Sequence, residues 1–138
     1  HITVETNATL YDDPAARLVD LFSLSPKLAS SAPSSDAAHH RLRLNLPAVQ
    51  AFLDRARADG KDFQLKFVYA RPADADEILS ILARLRGWTP SDVLLMPLGA
   101  TPAEMARAVP SALEQCLRHG WRFCDRLHIS LFGNREGV

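Results

Sequence analysis

Apolar and polar positions follow two periods along this chain, one typical of strands and one typical of helices. Five short segments alternate apolar and polar side chains or are wholly apolar, and they predict strands at residues 2–6, 21–25, 63–69, 93–96 and 126–131. The fourth segment carries only apolar side chains, which favours a strand that is covered on both faces.

Three longer segments have the period of a helix, each with a start and a stop. The first has Asn45 as its N-cap and ends at Gly60. The second has Asp74 as its cap, with Glu77 three residues later, and ends at Gly87. Both segments therefore predict helices, and each helix lies between two predicted strands.

The third helical segment has the clearest start in the chain. Thr101 is the predicted cap, Pro102 takes the first helical position and Glu104 completes a capping box, and Gly120 ends the helix. One buried stripe is expected along it, formed by Met105, Val109, Leu113, Cys116 and Leu117.

The order of these segments predicts an α/β fold. From residue 45 onward helices separate the strands, which implies a parallel sheet with right-handed helical crossovers in a single domain over residues 1–138. Either a small doubly wound sheet or the second half of a barrel fits this order. Because His1 leads straight into a strand, the barrel half is favoured. Residues 30–40, rich in Ser and Ala, are expected to form a mobile loop.

Composition and charge remove several function classes. Sixteen Lys and Arg against 16 Asp and Glu give no net charge, so a nucleic-acid binder that depends on bulk electrostatics is excluded. No apolar run is long enough for a membrane span. Cys116 and Cys124 have a spacing that matches no zinc or cluster motif, which favours a reducing, cytoplasmic setting.

Polar residues near the strand ends are the candidates for chemistry, because ligands of parallel α/β folds bind beyond the carboxyl ends of the strands. In the third predicted strand, Gln64 and Lys66 point to the face opposite Phe63, Leu65 and Phe67. This polar face is either solvated or directed at a ligand. The other candidates are Glu5, Thr6, Ser25, Lys27 and His128.

Each candidate also has a purely structural interpretation. Lys66 is expected to form an ion pair with an acidic side chain such as Glu5. A histidine inside an apolar strand, as predicted for His128, is more often a core residue than a catalytic one. The glycines form neither GxGxxG nor GxxxxGK[ST], which counts against a nucleotide-dependent dehydrogenase or an NTPase.

Taken in order, these strand-end sequences resemble one known family. The pair SLSPKL (residues 23–28) and DFQLKFV (62–68) is specific, and ITVETNATL (2–10), LLMP (94–97) and RLH (126–128) occur in the matching order. Over nearly all its length the chain resembles the C-terminal part of the 7-carboxy-7-deazaguanine synthase family, radical S-adenosylmethionine enzymes of queuosine and deazapurine biosynthesis.

The resemblance implies an incomplete, modified (β/α) barrel of the radical S-adenosylmethionine type, as a homodimer. In the family a [4Fe-4S] cluster cleaves S-adenosylmethionine to a 5′-deoxyadenosyl radical, with electrons from a reductant such as flavodoxin or ferredoxin. The radical takes a hydrogen atom from 6-carboxy-5,6,7,8-tetrahydropterin, and a Mg²⁺-assisted ring contraction then expels ammonia. The implied activity is thus that of a carbon–nitrogen lyase.

Carried over residue by residue, the resemblance also implies a site. Ser25, Lys27 and Gln64 would contact S-adenosylmethionine, whereas Thr6, Ala8 and His128 would contact the pterin. Ala8 is a departure, because the family often has glycine there. The CxxxCxxC motif is absent from the sequence, so the cluster and Mg²⁺ ligands are expected on an N-terminal half, without which this chain would be inactive.

Two other functions stay open at this level. One is another radical S-adenosylmethionine enzyme, such as an activating enzyme, with the same barrel and a different substrate. The other is a non-catalytic half-barrel that binds a small ligand or a partner. A CxxxCxxC motif encoded upstream of His1 would favour the enzymes over the binding module.

Overall fold

All five strands lie side by side in one parallel sheet, whose order β1-β2-β3-β4-β5 follows the chain. The computed structural model describes residues 1–31, 37–133 and 135. The strands are β1 (Thr3–Thr6), β2 (Leu21–Leu24), β3 (Asp62–Tyr69), β4 (Val93–Pro97) and β5 (Arg122–Phe123). The helices are α1 (Asp13–Ala16), α2 (Ala37–Leu42), α3 (Leu46–Asp59), α4 (Pro72–Leu82), α5 (Pro102–His119) and α6 (Leu127–Phe132).

The strand order decides between the two architectures that the sequence left open. A doubly wound sheet reverses its order at a switch point, whereas a (β/α) barrel adds each strand beside the previous one. Every neighbouring pair in this sheet is consecutive in the chain and parallel. The predicted α/β class with helical crossovers is therefore confirmed, and the open sheet is consistent with part of a radical S-adenosylmethionine barrel.

The two faces of the sheet differ in chemistry. One face carries most of the core and is packed by helices, with α3 on β2 and β3, α4 on β3, and α5 on β4 and β5. Its fully buried side chains include Phe22, Leu24, Leu65, Phe67 and Leu95. We call this the outer face, since helices lie outside the strands in a (β/α) barrel.

The opposite face, which we call the inner face, carries the polar side chains. Glu5 is in register with Ser23, and Ser23 with Gln64, so these three side chains share it. Lys66 follows Gln64 by two residues and lies on the same face. The alternation predicted for the third strand is thus confirmed.

Two of the three predicted helix starts are confirmed. The Asn45 side chain accepts a hydrogen bond from the Ala48 amide, and α3 ends at Gly60 in the left-handed conformation (φ 63°). The Thr101 hydroxyl accepts a hydrogen bond from the Glu104 amide at the start of α5.

The predicted start of α4 is wrong. This helix begins at Pro72, with Arg71 as its cap, and Asp74 lies in its first turn. The Asp74 carboxylate is buried and accepts hydrogen bonds from the amides of Ala70 and Arg71, 2.7 and 3.2 Å away. The prediction placed Asp74 at the N-cap position, whereas it lies three residues later in the helix than the N-cap Arg71. Proline in the first helical position was the better signal.

The stripe predicted for α5 is only partly buried. Met105 and Cys116 are buried, but Leu113 is 40% and Leu117 is 86% exposed. Steps of four residues rotate by about 40° each around a helix of 3.6 residues per turn, so a series of such steps leaves the buried face. Ala112, seven residues after Met105, lies on the buried side instead.

The predicted last strand is also wrong. Residues 122–123 form β5, and the segment expected to be a strand is the short helix α6. The Cys124 amide donates to the Leu95 carbonyl, 2.8 Å away, which is the last bond of the ladder. The next amide in that ladder would be that of Pro97, which has no N–H to donate.

The loop predicted at residues 30–40 is only partly described. Its beginning is a short 3₁₀ turn, Ala29–Ser31, and its end belongs to α2. Residues 32–36, the side chain of His39, and the chain end including Val138 lie outside the described residues. None of the helices in the described part combines the length and apolarity that a membrane-spanning segment needs.

Candidate functional site

A cavity of about 820 Å³ opens on the inner face, at the carboxyl ends of the strands. Side chains from every strand or from the loop after it contribute to its wall. The polar and charged lining residues are Glu5, Ser25, Lys27, Ser30, Ser31, Lys66, Asp125, Arg126 and His128, and apolar ones include Val68, Met96 and Leu98. The cavity lies where ligands of parallel α/β folds bind.

The loop after β2 brings Ser25 and Lys27 into the wall, as expected of the SPK sequence. The Ser25 amide donates to the Thr6 carbonyl, 2.7 Å away, which extends the sheet pairing by one residue past the strand. Ser25 is buried and Lys27 is half-buried. A residue with a hydroxyl group and one with an ammonium group therefore both line the cavity.

Lys66 crosses the inner face from β3 to β1. Its Nζ lies 2.6 Å from Oε1 of Glu5, so the expected ion pair is confirmed. The Lys66 side chain is 11% exposed and that of Glu5 is 65% exposed. Both residues also line the cavity, so the structural and the ligand-facing interpretations of Lys66 are compatible.

Gln64, the third expected S-adenosylmethionine contact, lies deeper along the inner face. Its Nε2 donates to Oγ of Ser23, 2.9 Å away, and it is not among the residues that line the cavity. The structure thus brings two of the three residues together at the cavity wall, with Gln64 below them. Its contact with a ligand stays a prediction.

Thr6 is the last residue of β1 and Ala8 lies in the turn after it; neither residue lines the cavity. The Thr6 hydroxyl accepts a hydrogen bond from the Ala8 amide, 3.1 Å away. Ala8 is fully buried and has φ 57°, in the left-handed region that favours glycine. The departure from glycine at this position therefore falls on a backbone conformation that glycine adopts more easily.

His128 lines the cavity, although not as expected from the sequence. It lies on α6 rather than on a strand, and its side chain is exposed. The interpretation as a core histidine is therefore wrong. A histidine at the cavity wall can donate a hydrogen bond to a bound heterocycle or accept one from it.

Arg126 is a cavity residue that the sequence interpretation missed. Its Nη1 donates to the Gly99 carbonyl, 2.7 Å away, and so ties the loop after β4 to the start of α6. One signal was a basic residue two positions before His128, but the segment was predicted as a strand, so Arg126 was not taken as a site residue. Arg126 after β5 and Lys27 after β2 give the cavity wall two basic side chains, and such groups suit the carboxylate of a bound ligand.

Comparison with known proteins identifies relatives along the whole chain. A 7-carboxy-7-deazaguanine synthase of Halobacterium salinarum is 38% identical over 149 aligned residues, which include 97% of this chain and 55% of the relative. The corresponding synthase of Rhodopirellula baltica is 34% identical and covered to 53%, and that of Pyrobaculum aerophilum is 27% identical and covered to 54%. The chain is homologous to 7-carboxy-7-deazaguanine synthases.

This homology has a defined extent. The chain spans about half the length of the curated relatives it matches. No family model matches the chain.

The described residues fit one of the cofactors implied by the resemblance and not the others. The cavity has the size of a small-molecule site, with hydroxyl and ammonium donors beside apolar side chains, as a nucleoside joined to an amino acid requires. In contrast, no group of three or more His, Cys, Asp or Glu in the described part of the chain could hold a metal ion. Cys116 is buried, and burial raises the pKa of its thiol.

Proposed function

We propose that this chain forms the S-adenosylmethionine-binding part, and some of the pterin-binding part, of a 7-carboxy-7-deazaguanine synthase. The observation that carries the proposal is the cavity at the strand ends, because the SPK loop and His128 of the family resemblance meet there in a chain homologous to these synthases. The cluster and Mg²⁺ would be held by the segment of the enzyme that this chain does not span.

The roles of the residues follow from their chemistry. The Lys27 ammonium would bind the carboxylate of the amino-acid part of S-adenosylmethionine, and the Ser25 hydroxyl would hydrogen-bond to a polar group beside it. Val68 and Met96 offer apolar surface for a flat base. Once bound and reduced, S-adenosylmethionine supplies the radical that takes hydrogen from the substrate.

The Glu5–Lys66 pair would keep the floor of the cavity neutral. Because the ammonium group of Lys66 is paired, it does not compete with Lys27 for the ligand carboxylate. His128 would meet the pterin from the cavity wall after β5, and Thr6 and Ala8 would meet it from the end of β1. A homodimer, a cytoplasmic setting and a flavodoxin or ferredoxin donor belong to the same proposal.

The test uses the protein encoded by the complete reading frame, purified without oxygen and with its cluster reconstituted. With S-adenosylmethionine, Mg²⁺ and 6-carboxy-5,6,7,8-tetrahydropterin, we expect 7-carboxy-7-deazaguanine and ammonia. Cleavage of S-adenosylmethionine without this product would instead indicate another radical enzyme of the same architecture. If the protein does not bind S-adenosylmethionine, the hypothesis of a non-catalytic half-barrel is favoured.

Variants of two lysines locate the cofactor. Lys27→Met should weaken S-adenosylmethionine binding about tenfold or more, because a charge-assisted hydrogen bond contributes about 1.5–3 kcal/mol. Lys61→Met is the matched control: Lys61 precedes β3 at the other end of the sheet, where its Nζ donates to the Arg17 carbonyl. Equal affinities of the two variants would contradict the assignment of Lys27.

A further inference from the structure

A half-buried ion pair connects the segment between α2 and α3 to α4, next to the SPK loop. Arg43 lies between α2 and α3, and Glu77 lies on α4. Nη1 of Arg43 is 2.8 Å from Oε1 of Glu77, and the two side chains are 15% and 23% exposed. Neither residue lines the cavity.

Both members of the pair also hold the main chain of the loop after β2. Nη1 of Arg43 donates to the Lys27 carbonyl, 2.6 Å away, and Oε2 of Glu77 accepts a hydrogen bond from the Ala29 amide, 2.9 Å away. Leu28, between these two contacts, is 2% exposed. The backbone is thus fixed on both sides of a buried side chain, directly after Lys27.

Stability alone is a poor explanation of this arrangement. Removing two charged groups from water costs free energy that their attraction often fails to recover. Nε of Arg43 is buried and has no hydrogen-bond partner among the described residues, which adds to that cost. What the arrangement achieves is the placement of one loop, the loop that carries Ser25 and Lys27.

We propose that Arg43 and Glu77 are positioning residues for ligand binding, acting through the backbone of residues 27–29 to hold Lys27 at the cavity wall. The inference rests on the proposed function, because the ligand it concerns is S-adenosylmethionine. It extends that function to two residues outside the cavity, one in the connection between α2 and α3 and one on α4.

The chain contains a matched control. Nε of Arg57 donates to the Gly87 carbonyl, 2.9 Å away, and its Nη2 lies 3.0 Å from Oδ2 of Asp92. This arginine likewise joins a carboxylate and a backbone carbonyl, but the loop that it holds precedes β4, at the amino ends of the strands. Arg57→Met therefore removes a comparable set of contacts far from the cavity.

The experiment measures the affinity of the complete protein for S-adenosylmethionine. Glu77→Gln keeps the shape of the side chain but turns an amide toward Arg43, and it should weaken binding about tenfold or more, as is typical of residues that orient a binding group. Arg43→Lys keeps the charge and should lose less. Arg57→Met should bind like the unchanged protein.

A double-mutant cycle with Lys27→Met separates positioning from a general loss of structure. If Glu77 acts through Lys27, Glu77→Gln should have no further effect on affinity once Lys27 is methionine. An equal loss in both backgrounds, or none in either, would overturn the inference while the proposed function stands. If the unchanged protein does not bind S-adenosylmethionine, the proposed function fails and the inference fails with it.

Discussion

Ala8 is the residue at which local conformation and burial conflict most. It is the only non-glycine residue with positive φ among those described, and its methyl group is fully buried. A left-handed conformation costs an L-residue roughly 1–2 kcal/mol. Ala8 keeps the left-handed conformation because the Thr6 hydroxyl and the surrounding core fix the backbone there.

Two substitutions at Ala8 should therefore differ in their effect on the free energy of unfolding. Ala8→Gly relieves the backbone but loses a buried methyl group worth about 0.8 kcal/mol, so the free energy of unfolding should change by less than about 1 kcal/mol. Ala8→Val adds a β-branched side chain at positive φ without free space and should cost at least about 2 kcal/mol. Denaturant unfolding measures both, with Ala58→Val on the exposed side of α3 as the control.

The Asp13 carboxylate is the centre of a local network of hydrogen bonds. Its Oδ1 accepts hydrogen bonds from the Tyr11 hydroxyl and from Nη2 of Arg55, and its Oδ2 accepts one from Nε of Arg17. The hydrogen bond from Tyr11, followed by that from Arg17, lowers the pKa of the Asp13 carboxyl below its usual value. Burial, in turn, raises the pKa of the Tyr11 hydroxyl.

The sign of this shift predicts a pH dependence. Because the carboxyl has a lower pKa in the folded state than in the unfolded state, its stabilisation is complete above the unfolded value of about 3.9 and is lost as pH falls below it. Asp13→Asn should therefore flatten the decrease in stability below about pH 4. Asp76→Asn, at an exposed position on α4, should leave that decrease unchanged in acid-unfolding curves.

At the scale of single elements, α4 and α5 begin by different means. The Thr101 hydroxyl caps α5 at an exposed position, whereas in the first turn of α4 the buried Asp74 carboxylate accepts hydrogen bonds from two backbone amides that precede the helix. An unsatisfied buried amide costs more than an exposed one, which water can bond. The two starts should therefore contribute unequally to stability.

Truncating each side chain tests this difference. Thr101→Ala should lower the free energy of unfolding by about 1 kcal/mol, and Thr101→Ser should recover most of it. Asp74→Ala should cost at least about 2 kcal/mol, since it leaves two amides without an acceptor. Equal losses in thermal unfolding would argue against the buried role of Asp74.

At the scale of the whole molecule, the two faces of the sheet have different tasks. The outer face packs against three helices and supplies the core, whereas the inner face carries an ion pair, an amide–hydroxyl bond and the cavity. A face that gives up packing for polar groups contributes less to stability and more to binding.

A matched pair of valines compares the faces directly. Val93 lies fully buried on the outer face, and Val68 lies half-buried at the cavity. Val93→Ala should cost about 2 kcal/mol, counting two buried carbon groups and the space they leave. Val68→Ala should cost less than half of that and should weaken ligand binding instead. Equal destabilisation would show that both faces are core.

By itself the sequence determined the local elements and the class of fold. Alternation along β3, the caps at Asn45 and Thr101, and the glycines that end α3 and α5 depend on neighbours in the chain, so their patterns predicted them. The strand-end motifs likewise indicated Ser25, Lys27 and His128, which the structure brings to one cavity.

Only the tertiary structure decided what depends on contacts between distant segments. The ladder between β4 and β5 ends where Pro97 cannot donate, and the last segment is the helix α6, on which His128 is exposed. Arg43 and Glu77 are far apart in sequence and meet only because α3 and α4 pack near the loop after β2. No local pattern records such a contact, because side chains meet across the fold without a fixed spacing in the chain.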